Sequence, residues 1–218
     1  MVLNSDQLYL EIPEATLPTQ FHSATEPFMT PQQKQAMDFM SGTNLDASGN
    51  TNFIVTTKES TWETATVHPD TAKGLANWCR NTFNLKFSGV FFVRTKPNSV
   101  GPWHCEGPLM KGRQCALNFL ITGEPGKTKA QWGVHKTINT PPEEIEKYFS
   151  GSVPPDEVDI IGEYVSKQYV PFFYNTACLH RSFNTSSTAH RTLLSVCVAD
   201  NISIHHIRTM YEKGTLFK

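Results

Sequence analysis

The chain has 218 residues, of which 39% are hydrophobic and 18% charged, so it is long enough to bury the core of one globular domain. Its formal net charge of −1 provides no general attraction to nucleic acid or to an anionic membrane, which disfavours a nucleic-acid partner. No apolar run approaches the roughly 20 residues that a transmembrane helix needs. The first residues lack the basic start and apolar core of a signal peptide. We therefore expect a single cytoplasmic domain.

The five cysteines are predicted to be reduced thiols, most of them buried. Their number is odd, and no two have the CxxC spacing of a redox or zinc motif. Zinc motifs cluster their ligands, whereas these residues are scattered along the chain at Cys79, Cys105, Cys115, Cys178 and Cys197. We do not predict a zinc site.

Residues 1–85 are predicted to form a buttress of helices and strands. Residues 7–12 alternate polar and apolar side chains, which indicates a strand. A capping box at residues 30–33 predicts a helix that runs to Ser41. Residues 69–84 repeat apolar side chains at steps of three and four, the spacing of a helix with one buried face.

From residue 86 onward the pattern changes to strands. Short runs of β-branched and aromatic residues are bounded by Gly, Pro and Asn, which is typical of strands. The predicted strands are residues 87–93, 113–122, 158–165, 169–175 and 190–198. A terminal helix is expected within residues 199–218. Strands at short spacing, with helices at the front, predict a mainly β domain: an antiparallel barrel or sandwich whose first helices support one sheet.

The segment 123–167 is predicted to be an insertion between two groups of strands. It contains a second capping box at residues 140–143, and aromatic residues such as Trp132 and Tyr148. Long connections in a compact domain are usually functional loops or disordered segments. We expect this one to border a pocket and to set the choice of substrate.

The strongest chemical signal surrounds His104 and Glu106, which are separated by one residue between two Gly-Pro pairs. On an extended segment, residues i and i+2 project to the same face, so this pair offers an imidazole and a carboxylate to one point. A metal site needs a third ligand from elsewhere. His180 stands at the head of a later strand-like run and supplies a candidate. Two histidines and one carboxylate form the facial triad that suits non-haem Fe(II).

Arg191 is a candidate partner for a small carboxylate. It follows His180 by 11 residues and begins an apolar strand. A charged side chain in such a strand is costly to bury unless something pairs with it. The planar guanidinium matches a carboxylate with two parallel hydrogen bonds, so an inward-facing Arg191 suits a small dicarboxylate.

The ordered set His104-x-Glu106, His180 and Arg191 resembles the Fe(II)/2-oxoglutarate-dependent oxygenase superfamily, over roughly residues 86–198. The resemblance implies a double-stranded β-helix, or jelly roll. It implies iron on His104, Glu106 and His180, and Arg191 on the distal carboxylate of the co-substrate 2-oxoglutarate, with O2 as the oxidant.

A narrower resemblance is to the aspartyl/asparaginyl β-hydroxylase and prolyl hydroxylase branches, because Asn184 follows His180 at four residues and an arginine comes after it. It implies a supporting co-substrate contact from Arg113. We also place Tyr174 among the candidate co-substrate residues. The chain departs from the aspartyl branch, which typically lacks the carboxylate that Glu106 provides here.

Each of these residues also has a structural interpretation. His104 and Glu106 could form an ordinary loop pair, His180 a hydrogen-bonded histidine at a strand end, and Arg191 a structural ion pair or an edge-strand residue. For Arg113 a solvated turn is the favoured interpretation. Of the further histidines, His190 is expected to be structural, and His205 and His206 are expected to lie on the surface.

Within the resemblance, the implied reaction is hydroxylation of a C–H bond in a peptidyl side chain, an amino acid or another small molecule. Two alternatives come from other classes of protein. One is a cupin-like metalloenzyme that uses the same triad without 2-oxoglutarate, and a solvent-exposed Arg191 would favour it. The other is a non-catalytic jelly-roll interaction or structural protein, in which the candidate ligands would not converge.

Overall fold

The computed structural model describes five ranges of the chain: residues 5–22, 62–66, 69–105, 114–137 and 153–218. The predicted helix from residue 30 and the capping box at residues 140–143 lie outside these ranges. So do Glu106 and Arg113.

Ten strands and two α-helices occur in the described ranges. The strands are β1 (Tyr9–Glu11), β2 (Trp62–Thr66), β3 (Phe87–Thr95), β4 (Ser99–Val100), β5 (Cys115–Thr122), β6 (Thr128–His135), β7 (Val158–Val165), β8 (Pro171–Asn175), β9 (Leu179–Asn184) and β10 (Arg191–Val198). The helices are α1 (Pro69–Thr82) and α2 (Ile204–Glu212). The predicted helix at residues 69–84, the five predicted strands after residue 86 and the terminal helix are confirmed at these positions.

The strands form two antiparallel sheets. The six-stranded sheet has the order β1-β8-β5-β10-β3-β2, and the four-stranded sheet has the order β4-β9-β6-β7. Along the chain, β3 to β6 alternate between the two sheets, and β7 to β10 alternate again. Eight strands that cross repeatedly between two packed sheets form a jelly roll. The predicted fold class is therefore confirmed.

The first sheet is covered on both faces, which explains why its central strands show little polar alternation. On β10, Leu194, Val196 and Val198 pack into a core with residues of α1 and α2. Leu193, on the other face, joins a second core between the sheets, together with Trp132 of β6. Because side chains alternate along a strand, Arg191 faces the space between the sheets, as Leu193 does.

The prediction that residues 123–167 form an insertion is wrong for both of its ends. β6 lies inside the second sheet and pairs with both β7 and β9. β6 and β7, the two strands within this segment, are therefore part of the jelly roll. Only residues 138–152 of the segment lie outside the described ranges. β6 was missed because Thr128–His135 includes Lys129, Gln131 and Gly133 and has few β-branched residues.

The cysteines match the prediction of reduced, mostly buried thiols. All five lie in the described ranges and none forms a disulfide; Cys79, Cys105 and Cys115 are buried. Burial raises the pKa of the Cys79 thiol to about 12 and that of Cys178 to about 11, so both are protonated at neutral pH. Within the described residues, no helix combines the length and apolarity needed to cross a membrane.

Phe83 provides a test of the core between the helices and the first sheet. Its side chain is 0% exposed, and its ring lies 5.7 Å from that of Phe173 and 5.6 Å from that of Phe217. We expect Phe83→Ala to lower the free energy of unfolding by about 3–5 kcal/mol, since it leaves a cavity among packed rings. Ile160→Ala, at a side chain that is 50% exposed, is the control, with an expected change within about 0.5 kcal/mol. Urea denaturation measures both, and equal effects would contradict this assignment of the core.

Candidate functional site

His104 and His180 meet at the junction of two chain segments in the second sheet. The segment after β4 lies against β9, and the two residues exchange both backbone hydrogen bonds, at 3.1 and 2.8 Å. Their ring centroids are 4.3 Å apart. His180 is opposite Trp132 in the strand register, so its imidazole lies on the inner face of the sheet, as the Trp132 side chain does. Two of the three predicted ligands therefore lie side by side.

Both imidazoles are oriented by the backbone in the same way. Nδ1 of His104 donates to the carbonyl of Pro102 at 2.9 Å, and Nδ1 of His180 donates to the carbonyl of Cys178 at 2.8 Å. A carbonyl only accepts, so in the neutral imidazole the lone pair of each ring is on Nε2. Metal-binding histidines commonly donate their second ring nitrogen in this manner, which fixes the tautomer and the ring orientation.

The other two residues expected in this region, Glu106 and Arg113, lie outside the described residues. No group of three histidine, cysteine, aspartate or glutamate side chains that could hold a metal occurs within the described residues. The donor set there consists of the two imidazoles. It suits a transition metal, and the chain continues directly from His104 towards a carboxylate two residues later.

Arg191 is buried in the space between the sheets, with 1% of its surface exposed. Its Nε is buried and has no hydrogen-bond partner, and no carboxylate of the described residues forms an ion pair with its guanidinium. Burial lowers the pKa of Arg191 to about 10, an effect that the nearby Tyr174 phenol partly offsets. Even so, the side chain is charged at neutral pH. Among the described residues, this buried cation therefore has no protein anion beside it, an arrangement that is costly unless a ligand supplies one.

Tyr174 of β8 lines the same space. Its ring meets that of His180 edge-on at 4.9 Å and lies 4.8 Å from that of Trp132. Trp132 is fixed in turn, because its indole N–H donates to the carbonyl of Asn175 at 3.0 Å. Tyr9 of β1 stacks on Trp132 at 5.7 Å, so aromatic rings form one wall beside the histidine pair.

Asn184 holds the turn that leads to Arg191. Its side-chain amide donates to the carbonyls of Thr95, Lys96 and Ala189, at 2.9–3.2 Å. These contacts tie the end of β3 to the connection between β9 and β10. Since Arg191 pairs with Thr95 in the strand register, Asn184 helps to set where Arg191 enters the sheet.

Two polar residues on the inner face of the first sheet were not predicted. Asn118 of β5 and Ser195 of β10 are opposite each other in the register and are 5% and 3% exposed. They share the inner face with Leu120 and Leu193. The available signal was a single asparagine inside the apolar run of β5. His205 and His206 are exposed, in agreement with the surface prediction, and His190, for which a structural place is expected, is exposed as well.

Comparisons with known proteins give similarity at the level of structure only. No protein-family model matches the chain, and no curated protein matches it. HygX from Streptomyces hygroscopicus, solved with nickel, 2-oxoglutarate and hygromycin B bound, has a TM-score of 0.47 and 11% identity, and the match covers 90% of this chain and 85% of that one. The α-ketoglutarate-dependent epimerase SnoN from nogalamycin biosynthesis has a TM-score of 0.49 and 9% identity, covering 89% and 78%. The viral collagen prolyl hydroxylase vCPH from Paramecium Bursaria Chlorella virus-1 has a TM-score of 0.41 and 11% identity, covering 88% and 95%.

The buried charge of Arg191, which has no ion-pair partner among the described residues, should lower the stability of the ligand-free protein. We expect Arg191→Met to raise the free energy of unfolding by about 1 kcal/mol or more when metal and dicarboxylates are absent, because it removes a buried cation without breaking an ion pair. Chemical denaturation in chelated, dicarboxylate-free buffer measures the effect.

Arg208→Met is the matched control for this substitution. The Arg208 guanidinium donates to the carbonyls of Asp6 and Tyr9 at 2.9 and 2.8 Å, so its removal should lower stability. Loss of stability in Arg191→Met at least equal to that in Arg208→Met would show that Arg191 is satisfied within the protein.

Proposed function

We propose that this chain is an Fe(II)- and 2-oxoglutarate-dependent oxygenase that hydroxylates a C–H bond of a peptidyl side chain, an amino acid or another small molecule. The observation that carries the proposal is the buried Arg191, whose Nε lacks a partner, in the same inter-sheet space as the His104–His180 pair. The pair offers the nitrogen donors of a metal site. The arginine offers the recognition group for a carboxylate next to it.

In this proposal His104, His180 and Glu106 hold the metal. The Nδ1 bonds to backbone carbonyls support the role of the two histidines, since they leave the metal-binding lone pair on Nε2. Glu106 is proposed because it follows His104 at the spacing that puts two side chains on one face of an extended segment. Two nitrogens and one oxygen leave positions open for a co-substrate and O2.

Arg191 is proposed to bind the distal carboxylate of 2-oxoglutarate. A small dicarboxylate would supply the anion that the buried guanidinium lacks, and the guanidinium fork would fix its orientation. Tyr174 lies beside His180 and within electrostatic range of Arg191, which supports a place along the same ligand. Arg113 is proposed as a further contact, on the resemblance alone.

When bound, iron and 2-oxoglutarate together supply O2 activation coupled to decarboxylation, which yields succinate, CO2 and a hydroxylated product. The protein's own part is to position these ligands and to exclude water. The histidines would hold the metal at one end of the site, and Arg191 would hold the distal carboxylate at the other. The rings of Trp132, Tyr174 and Phe172, between 0% and 7% exposed, keep this side of the space dry.

The same observations bear on the two alternatives. A cupin-like enzyme without 2-oxoglutarate has no use for a buried cation opposite the metal ligands, and Arg191 is buried rather than exposed. A non-catalytic jelly roll has no reason to bring two matched imidazoles within 4.3 Å.

A small-molecule or peptide substrate is proposed. The free thiols of the cysteines support the proposed cytoplasmic location.

Removing one histidine tests the metal site. We expect His180→Ala to weaken binding of Fe(II), or of Ni(II) as a stable substitute, by more than about 100-fold, beyond what loss of a supporting residue costs. His190→Ala, at an exposed histidine in the next turn, should bind as the wild type does. Competition with a chromophoric chelator under anaerobic conditions gives both affinities. Equal affinities in the two variants would exclude His180 as a ligand.

Arg191→Lys separates the co-substrate from the metal. It keeps the charge but loses the two-pronged donor geometry, so 2-oxoglutarate binding should weaken by about 1.5–3 kcal/mol. Metal affinity should change little because all three proposed ligands remain. Anaerobic titration of 2-oxoglutarate into the Fe(II)-loaded variant, followed by its charge-transfer absorption band, measures the loss. Unchanged 2-oxoglutarate affinity would remove Arg191 from the site and favour the cupin-like alternative.

A further inference from the structure

A cation–π contact lies directly behind the two histidines. Trp103 precedes His104 and Arg181 follows His180, and the guanidinium carbon of Arg181 lies 4.4 Å from the centroid of the Trp103 ring. Neighbouring residues on an extended segment project to opposite faces. The imidazoles therefore meet on the inner face of the second sheet, while their chain neighbours meet on its outer face.

The Trp103 side chain packs into a space that exists because residue 133 is a glycine. Its side chain is 1% exposed and lies over Gly133 of β6. A Cβ atom at position 133 would come within 3.1 Å of the Trp103 ring and would collide with Val158 of β7. The absence of a side chain at Gly133 thus leaves the space that the indole fills.

Arg181 is held over Trp103 by a relay across the sheet. Its Nε donates to Oε1 of Gln131 on β6 at 2.7 Å, and the amide of Gln131 donates to Glu163 on β7. Glu163 also accepts from Nζ of Lys129 at 3.0 Å. These bonds lower the pKa of Glu163, that of Gln131 contributing most, so the carboxylate is ionised and the relay intact at neutral pH.

The arm that carries His104, residues 101–105, has few other backbone bonds to β9. On its other side, the carbonyl of Trp103 accepts from the backbone N–H of Val153 at 3.2 Å. β4 pairs with β9 at Ser99 and Val100. Beyond it, Gly101 donates to the carbonyl of Ser182 at 2.8 Å, and Pro102 has no N–H to donate. The next bonds between the arm and β9 are the reciprocal pair at His104 itself. A side-chain anchor at Trp103 therefore acts where the strand ladder is interrupted.

We infer that Arg181 and Trp103 are positioning residues for the His104–His180 pair, holding the arm in the register that lets both imidazoles reach one metal ion. The inference rests on the proposed function, in which these histidines bind the metal. Neither side chain touches the metal; each acts through the backbone of the adjacent histidine. The relay through Gln131 and Glu163 sets the place of the guanidinium.

The test compares Co(II) binding in variants of the full chain, by chelator competition and by the visible ligand-field bands of Co(II). Arg181→Met keeps the apolar stem but removes the charge and the bond to Gln131, and should weaken Co(II) binding by about 10–100-fold, the usual effect of residues that support metal ligands. Arg181→Lys restores a cation near the ring and should be intermediate. Lys136→Met, at an exposed cation just after β6 and outside these bonds, should match the wild type.

Two results would overturn the inference. One is wild-type Co(II) affinity and spectrum in Arg181→Met. The other is a lowered Tm of the metal-free protein with unchanged Co(II) affinity, which is what a purely structural contact gives. If Arg181→Met does not fold, Trp103→Phe is tested in its place, because a phenyl ring is too small to fill the space over Gly133 that the indole occupies. Wild-type affinity in that variant also overturns the inference.

His180→Ala separates this inference from the proposed function. If His180→Ala binds Co(II) as tightly as the wild type, the metal site itself is wrong. If His180→Ala loses Co(II) while Arg181→Met retains it, the metal site stands and only the positioning role fails.

Discussion

The backbone contact between His104 and His180 is the constraint on which the rest of the site depends. The two residues exchange both peptide hydrogen bonds. This pairing fixes the register of the two segments and places both side chains on the same face of the sheet. They are 76 residues apart in the chain, and the pairing of β4 with β9 brings the two imidazoles together. Once that pairing forms, each carbonyl two residues upstream orients the ring beside it.

The crossing pattern of the jelly roll then places an arginine opposite the histidines. β9 belongs to one sheet and β10 to the other, so His180 and Arg191 face the same interior from its two sides although they are 11 residues apart. Asn184 stabilises the turn between them through three backbone carbonyls. The result is a space between the sheets with two imidazoles on one wall and, among the described residues, the buried Arg191 on the other. In the proposed function this arrangement takes a ligand that is both a chelator and an anion.

The elements with strong local patterns could be predicted from the sequence. α1 has an apolar face at helical spacing, and β10 is a mainly apolar, β-branched run after Arg191. β6 could not be recognised in this way, because several of its residues make specific contacts rather than favouring a strand. Gly133 makes room for Trp103, and Gln131 belongs to the polar relay. Neither choice favours a strand locally.

The candidate ligands could be proposed from spacing, but their surroundings could not. His104 and His180 stand out because imidazoles have few other reasons to appear with a nearby carboxylate at strand spacing. Arg181 and Asn118 look ordinary in the sequence: one resembles a solvated charge and the other a stray polar residue. The positions of their side chains follow from which strands are neighbours, and strand order is a property of tertiary pairing that local patterns do not encode.

We propose that one metal ion and one 2-oxoglutarate molecule bind together in the space between the sheets. The most direct test is anaerobic Fe(II) loading of the full chain, followed by metal analysis and absorption spectroscopy with and without 2-oxoglutarate. We expect one bound iron per chain and a charge-transfer band that appears only on addition of 2-oxoglutarate and saturates at one equivalent. Iron that binds without any spectral response to 2-oxoglutarate, or no bound iron at all, would contradict it.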